Sequence, residues 1–161
     1  MNIFDKKIKQ SIRETMQLDE SLVAQQKPFN LKTDFLSDAN INNHIELYKS
    51  YVANFNEISA KLDAVSRDAN SNHSDYKNLK HDETYNLNAA YLHEQYFANI
   101  GDASSQITTD SLSYMRLTRD FGSFDSWQKD FIACCQSSRC GWAITYLNTY
   151  TQTYMNCVID L

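Results

Sequence analysis

The sequence predicts a mostly helical α+β protein, in which a long antiparallel helical hairpin is followed by a shorter α/β segment. Only three glycines and one proline interrupt the 161 residues, which leaves room for long helices. Apolar residues recur at spacings of three and four in two long stretches of the chain. Aromatic and β-branched residues gather near the C-terminal end instead, which is typical of strands.

The two long helices are predicted on either side of a polar segment. The first follows Ser37, a favourable N-cap, and repeats apolar residues from Ile41 to Leu62. The second covers residues 83–100, and because apolar residues surround most of it, we expect burial on more than one side. Residues 67–83 are rich in Asn, Ser and Asp and have little to bury, so we expect a loop joining antiparallel helices.

The remainder of the chain divides into shorter elements. Two helical patterns cover residues 111–122 and 123–137, and the segments 142–151 and 154–161 are predicted to be strands. We therefore expect three parts: an N-terminal extension (1–27), a helical hairpin domain (28–104) and a partial C-terminal α/β domain (105–161). Pro28 marks the first boundary, because proline ends helices.

Charge and hydropathy exclude two classes of partner. The formal net charge is −5 and the basic residues are scattered, so the sequence predicts no nucleic-acid binding. No apolar run approaches the roughly 18 residues of a membrane-spanning helix, and the N-terminus has no apolar signal core. We expect a cytoplasmic protein that does not bind membranes.

Two of the four histidines, His44 and His93, lie in the two strongest helical patterns. If the helices pair antiparallel, both imidazoles can meet across the hairpin and offer two nitrogen ligands to a transition metal. The aromatic residues within two turns on the same helix faces are Tyr48, Tyr51, Tyr96 and Phe97. From spacing alone, the alternative is that both histidines are ordinary core or surface residues of a helical protein without a metal.

Three motifs resemble the iron/manganese superoxide dismutase family in order and spacing. SDANINNHIELYKSYVANFN resembles the first helix of that family, and LNAAYLHEQYFANI resembles the second. DFGSFDSWQKDFIACCQSSRCGWAITYLN resembles the family's FGSF helix, followed by a Gly-Trp-Ala strand start. The likeness covers about residues 28–161, and it implies the dismutase hairpin followed by a truncated α/β domain.

The resemblance also implies a function and a set of site residues. Members of the family convert superoxide to oxygen and hydrogen peroxide on one iron or manganese ion per chain. His44 and His93 match two of the metal ligands, and Tyr51 matches the gateway tyrosine of the proton-delivery network. The residues implied to line the pocket are Tyr48, Tyr96, Phe97 and Trp142.

The sequence departs from the family pattern at three places. Tyr48 stands where a histidine would support the site, no glutamine just before His93 matches that of the iron enzymes, and nothing matches the Asp-x-Trp-Glu-His segment that supplies two further ligands. We therefore expect the 161 residues alone to be inactive and to bind metal weakly. Exposed strand edges predict a homo-oligomer or an assembly partner. The alternative function is a catalytically inactive structural or binding component of a larger assembly such as a virus particle, which would be located in the virion.

Overall fold

The computed structural model describes residues 24–29, 31, 33, 35–101 and 107–160. Most of the predicted N-terminal extension, residues 1–23, lies outside the described residues. The chain forms two compact units, Met1–Ala103 and Ser104–Leu161. Over the described residues the first unit contains two long helices, and the second contains two shorter helices and a two-stranded antiparallel sheet. The predicted fold class, a helical hairpin followed by a short α/β portion, is confirmed.

Helices α1 (Asp38–Ala64) and α2 (Asp75–Gly101) form the hairpin. The Ser37 side chain accepts a hydrogen bond from the backbone N–H of Asn40 at 3.2 Å, so it satisfies one of the free donors at the start of α1. Early residues of α1 lie beside late residues of α2, and late residues of α1 lie beside early residues of α2. The Ser59 hydroxyl, for example, donates to Glu83 at 3.0 Å. The two helices are therefore antiparallel.

The loop predicted at residues 67–83 is wrong over its second half, because α2 begins at Asp75. Ser74 starts this helix: its hydroxyl accepts from the N–H of Lys77 at 3.1 Å, and its carbonyl accepts from the N–H of Asn78 at 3.1 Å. Tyr76 and Leu79 are half-buried, while most of their neighbours are exposed. The first turns of α2 bury only one side of the helix, so a mostly polar sequence with a few apolar residues on that side can form them.

The core of the first unit lies between the two helices and the segment that precedes them. Its buried residues include Tyr48, Val52, Ala90 and Phe97. Phe29 packs on this cluster, and its ring centroid lies 4.7 Å from that of Phe97. Ala24 is attached to α1 by two hydrogen bonds with the Asn56 side chain, of 2.9 and 3.1 Å. The segment 24–29 is thus part of the hairpin's packing.

The second unit begins with helices α3 (Leu112–Phe121) and α4 (Phe124–Ser137), as the sequence predicted. Gly122 separates them at φ +80°, a left-handed conformation that glycine adopts without steric cost. The aromatic rings of Trp127 and Phe131 stack on α4 with centroids 5.8 Å apart.

None of the helices in the described parts of the chain is long and apolar enough to cross a membrane.

Strands β1 (Gly141–Asn148) and β2 (Thr153–Asp160) pair antiparallel along their full length, with Gly141 opposite Asp160. The predicted first strand is too long, because residues 149–151 form a turn. The Asn148 side-chain oxygen accepts from the backbone N–H groups of Tyr150 and Thr151, at 2.9 and 3.3 Å, and so closes the turn.

Candidate metal-binding site

The antiparallel hairpin brings together the two histidines that the sequence singled out. His44 projects from α1 and His93 from α2, and their ring centroids are 5.9 Å apart. His93 is only 2% exposed, and His44 is half-buried. Two imidazoles from facing helices inside a bundle are an arrangement that can bind a metal ion from both sides.

The protonation state of His93 is set by its own helix. Its Nδ1 lies 2.7 Å from the carbonyl oxygen of Ala89, one turn earlier, which can only accept a hydrogen bond. The proton of the neutral ring is therefore on Nδ1, and Nε2 keeps its lone pair. Burial lowers the pKa of His93 below its ordinary value, and the nearby His44 lowers it further, against the opposing effect of the Ala89 hydrogen bond. At neutral pH the ring is uncharged, as a metal ligand must be.

His44, like His93, has a nitrogen that is suited to binding a metal. Its Nδ1 is buried and makes no hydrogen bond within the described residues. A buried polar atom of this kind requires a physical explanation, and a bound ion is one of the few available. Together with the lone pair on His93 Nε2, this nitrogen makes the donor pair suitable for iron, manganese or another transition metal.

Aromatic rings surround the pair. Tyr96 lies against His44, with centroids 5.2 Å apart, while Tyr51 and Phe97 lie against His93 at 5.4 and 6.1 Å. Burial, followed by the neighbouring Tyr85 phenol, raises the pKa of Tyr51 to about 12. Its hydroxyl therefore keeps its proton at neutral pH. Three of the sequence-predicted site residues, Tyr51, Tyr96 and Phe97, thus line the histidine pair.

Tyr48 faces a different set of residues. Its ring centroid lies 5.8 Å from that of Phe29 and 5.9 Å from that of Phe97. Its hydroxyl donates to Glu94 at 2.9 Å and accepts from the backbone N–H of Lys27 at 3.0 Å. Tyr48 is 1% exposed, and it is connected to the histidine pair through Phe97, whose ring contacts both Tyr48 and His93.

Trp142 belongs to the second unit. It lies in β1, opposite Ile159 of β2, and is half-buried. Its predicted position beside the histidines remains a prediction.

The histidine pair has no third ligand in the parts of the chain that the structure describes. Within 24–29, 31, 33, 35–101 and 107–160, no group of three or more His, Cys, Asp or Glu side chains could hold a metal ion. The described site therefore consists of two nitrogen donors in an aromatic pocket. Such a pair leaves most coordination positions of a transition metal to water or to other ligands.

Sequence reasoning missed two contributors to this region. Glu94 follows His93 directly and forms an ion pair with the Lys27 ammonium, besides accepting from Tyr48. Lys27 and Glu94 are 67 residues apart, so no local spacing could indicate the pair. Tyr85 precedes His93 by eight residues on α2, a spacing that does place both on one helix face, and this signal was available.

Comparison with known proteins identifies relatives of one kind. No family model matches the chain. The iron superoxide dismutase of Aquifex pyrophilus is 35% identical over 130 residues, which cover 78% of this chain and 59% of the relative. A manganese superoxide dismutase of Halobacterium salinarum is 26% identical over 117 residues, or 73% of this chain and 56% of the relative. The iron enzyme of Cupriavidus metallidurans is 34% identical over 99 residues, 61% of this chain and 48% of the relative. The chain thus spans about half to three-fifths of the length of these relatives.

Proposed function

The chain belongs to the iron/manganese superoxide dismutase family, and from that premise we propose that His44 and His93 are two protein ligands of an iron or manganese ion that serves superoxide dismutation. The observation that carries the proposal is the 5.9 Å separation of the two imidazole rings inside the hairpin. The Nδ1 hydrogen bond of His93, which leaves Nε2 as the donor nitrogen, supports it as well.

The chemistry that iron or manganese supplies when bound is one-electron exchange, by which two superoxide anions and two protons become oxygen and hydrogen peroxide. The protein's own part is to hold the ion, to exclude water and to present a proton donor. Tyr96 and Phe97 place apolar ring surface around the histidines. Tyr51 carries a protonated hydroxyl beside His93 and is the proton donor of the proposed site.

The proposed reaction needs protein ligands in addition to the two histidines. The family uses a carboxylate as well as imidazoles, and a negative donor offsets the charge of a trivalent ion. With only the two histidines, metal affinity is modest and other divalent metals compete. Metal binding is therefore the property that tests the two histidines themselves, and turnover tests whether the site is complete.

The second candidate function is a dismutase-fold protein that has lost catalysis and serves as a structural or binding component of an assembly. The observation that favours it is Tyr48, which replaces a histidine of the family pattern and commits its hydroxyl to Glu94 and Lys27. In this case the hairpin would be retained for its packing, and its partner would be a second copy or another component of the assembly.

Elemental analysis and a superoxide assay on the same preparations separate the two candidates. The chain and its His44→Ala and His81→Ala variants are each loaded with manganese and dialysed; His81 is exposed on α2 and serves as the control. Manganese retained by the parent and by His81→Ala, but not by His44→Ala, supports the proposed site. Equal manganese in all three contradicts it. Manganese retained without turnover means that the two histidines bind the ion in a site that these residues alone do not complete, whereas neither manganese nor turnover in any of the three favours the second candidate.

A further inference from the structure

Met155 lies in β2 and holds its sulfur atom beside two hydrogen-bond donors. The residue is 41% exposed, so the thioether is accessible from solvent. Tyr146 is its direct partner on β1, and the Tyr146 hydroxyl donates to Met155 Sδ at 3.8 Å. The Asn148 side chain donates to the same sulfur through Nδ2 at 3.5 Å. Residues directly opposite or diagonal to each other on antiparallel strands share one face of the sheet, so these three side chains form a cluster there.

The direction of the Asn148 amide is fixed by the turn that joins the two strands. Its side-chain oxygen accepts from the backbone N–H groups of Tyr150 and Thr151, at 2.9 and 3.3 Å. The NH₂ group therefore points the other way, towards Met155. A thioether sulfur is only a weak acceptor, so the two donors gain little from it. Both donors are thus in place for a stronger acceptor at this position.

We propose that Met155 is a site of methionine sulfoxide formation, at which the new oxygen atom accepts hydrogen bonds from Tyr146 and Asn148. The oxidant is hydrogen peroxide. Its O–O bond breaks, one oxygen atom bonds to the sulfur, and the other leaves as water with both protons; the sulfur gives up two electrons and the peroxide accepts them. The inference goes beyond the proposed function and does not depend on it, because peroxide from any source can react.

The two donors determine what oxidation does to the sheet. A sulfoxide commonly disrupts its surroundings, because it turns an apolar side chain into a polar one. At Met155 the new oxygen meets two donors, so the paired strands should stay closed. Met115 gives a contrast on α3: it is 54% exposed, and its sulfur accepts no hydrogen bond from the residues that the structure describes. Its sulfoxide would have only water as a partner.

Peroxide treatment of the full chain, followed by dithiothreitol to restore the cysteines, tests this assignment. Peptide mass spectrometry measures the sulfoxide at Met155 and at Met115, and amide hydrogen exchange measures how often β1 and β2 open. We expect Met155 to be oxidised in the folded protein, with strand exchange no faster than before treatment. Met155 left unoxidised when Met115 has been fully converted would overturn the proposal.

Three variants, each compared with its own untreated form, show whether the hydroxyl contact is responsible. In Tyr146→Phe the sulfoxide loses one donor, so treatment should speed strand exchange about fivefold, the equivalent of one hydrogen bond. Tyr150→Phe removes a hydroxyl from a turn residue that is 95% exposed, and it should respond as the parent does. In Met155→Leu, treatment should leave strand exchange unchanged. Equal responses of the parent and Tyr146→Phe, or a response in Met155→Leu, would overturn the proposal.

Discussion

The Tyr48 hydroxyl donates a hydrogen bond to Glu94 at 2.9 Å, and so connects the middle of α1 to the residue that follows His93 on α2. The Lys27 ammonium reaches the same carboxylate. One glutamate therefore joins three parts of the first unit: the segment that precedes the hairpin and its two helices. Because Glu94 is next to His93, this connection helps to hold α2 at the depth where the histidines meet.

Tyr48→Phe tests the contribution of this connection to stability. The substitution keeps the buried ring and removes one hydrogen bond to a carboxylate, together with the acceptor for the Lys27 N–H. We expect the free energy of unfolding to fall by about 1 to 3 kcal/mol, as is usual for a buried hydrogen bond with a charged partner. Urea denaturation followed by circular dichroism measures it. Tyr91→Phe, at an exposed site, is the matched control, and equal stability of both variants would show that the Tyr48 hydroxyl contributes nothing.

The burial of His93 should make the free energy of unfolding depend on pH. Burial lowers its pKa in the folded state below the ordinary 6.5, so the unfolded chain takes up a proton first as the pH falls. Stability therefore rises with pH across this window, is fully present above about pH 6.5, and is lost as the pH falls towards the folded-state pKa. Urea midpoints between pH 7.5 and 5 should decrease for the parent and for the exposed-site control His81→Gln. In His93→Gln the decrease should be smaller, and an identical pH profile would refute this account of His93.

The start of β1 has no room for a side chain at Gly141. A Cβ atom at this position would lie 1.9 Å from the carbonyl oxygen of Ile159 on the facing strand, so the backbone must move. We expect Gly141→Ala to lower the free energy of unfolding by about 1 to 3 kcal/mol, the usual cost of overpacking. Thermal unfolding compares it with Thr149→Ala, which alters an exposed residue of the connecting turn. A Gly141→Ala variant as stable as that control would mean that the strands separate here without cost.

The sequence predicted those parts of the fold that depend on local patterns. The repeat from Ile41 to Leu62 predicted α1, because one apolar face determines a helix of that length. The loop predicted at residues 67–83 was too long, because Ser74 caps a helix that begins within this polar stretch. Polar composition alone did not reveal that start. The end of β1 was missed because the Asn148 side chain closes a turn within a β-prone stretch.

The proximity of His44 and His93 was predictable, and the residues around them were less so. Helix periodicity and the family resemblance were sufficient to pair His44 with His93. Tyr48 shares a helix face with His44, yet its hydroxyl direction depends on Lys27 and Glu94, which meet only in the folded chain. Contacts between residues so distant in sequence carry no local signal.

The most direct test of the central claim uses the imidazole resonances themselves. Because the chain has only four histidines, two-bond ¹H–¹⁵N spectra can follow all of them during a titration with Co²⁺. We expect the signals of His44 and His93 to shift or broaden together and to reach their end point at one ion per chain, with His93 keeping the proton on Nδ1. The signals of His73 and His81, both exposed, should change less and later. If His73 or His81 responds first, or if His44 and His93 respond at different Co²⁺ concentrations, the two histidines do not share one ion.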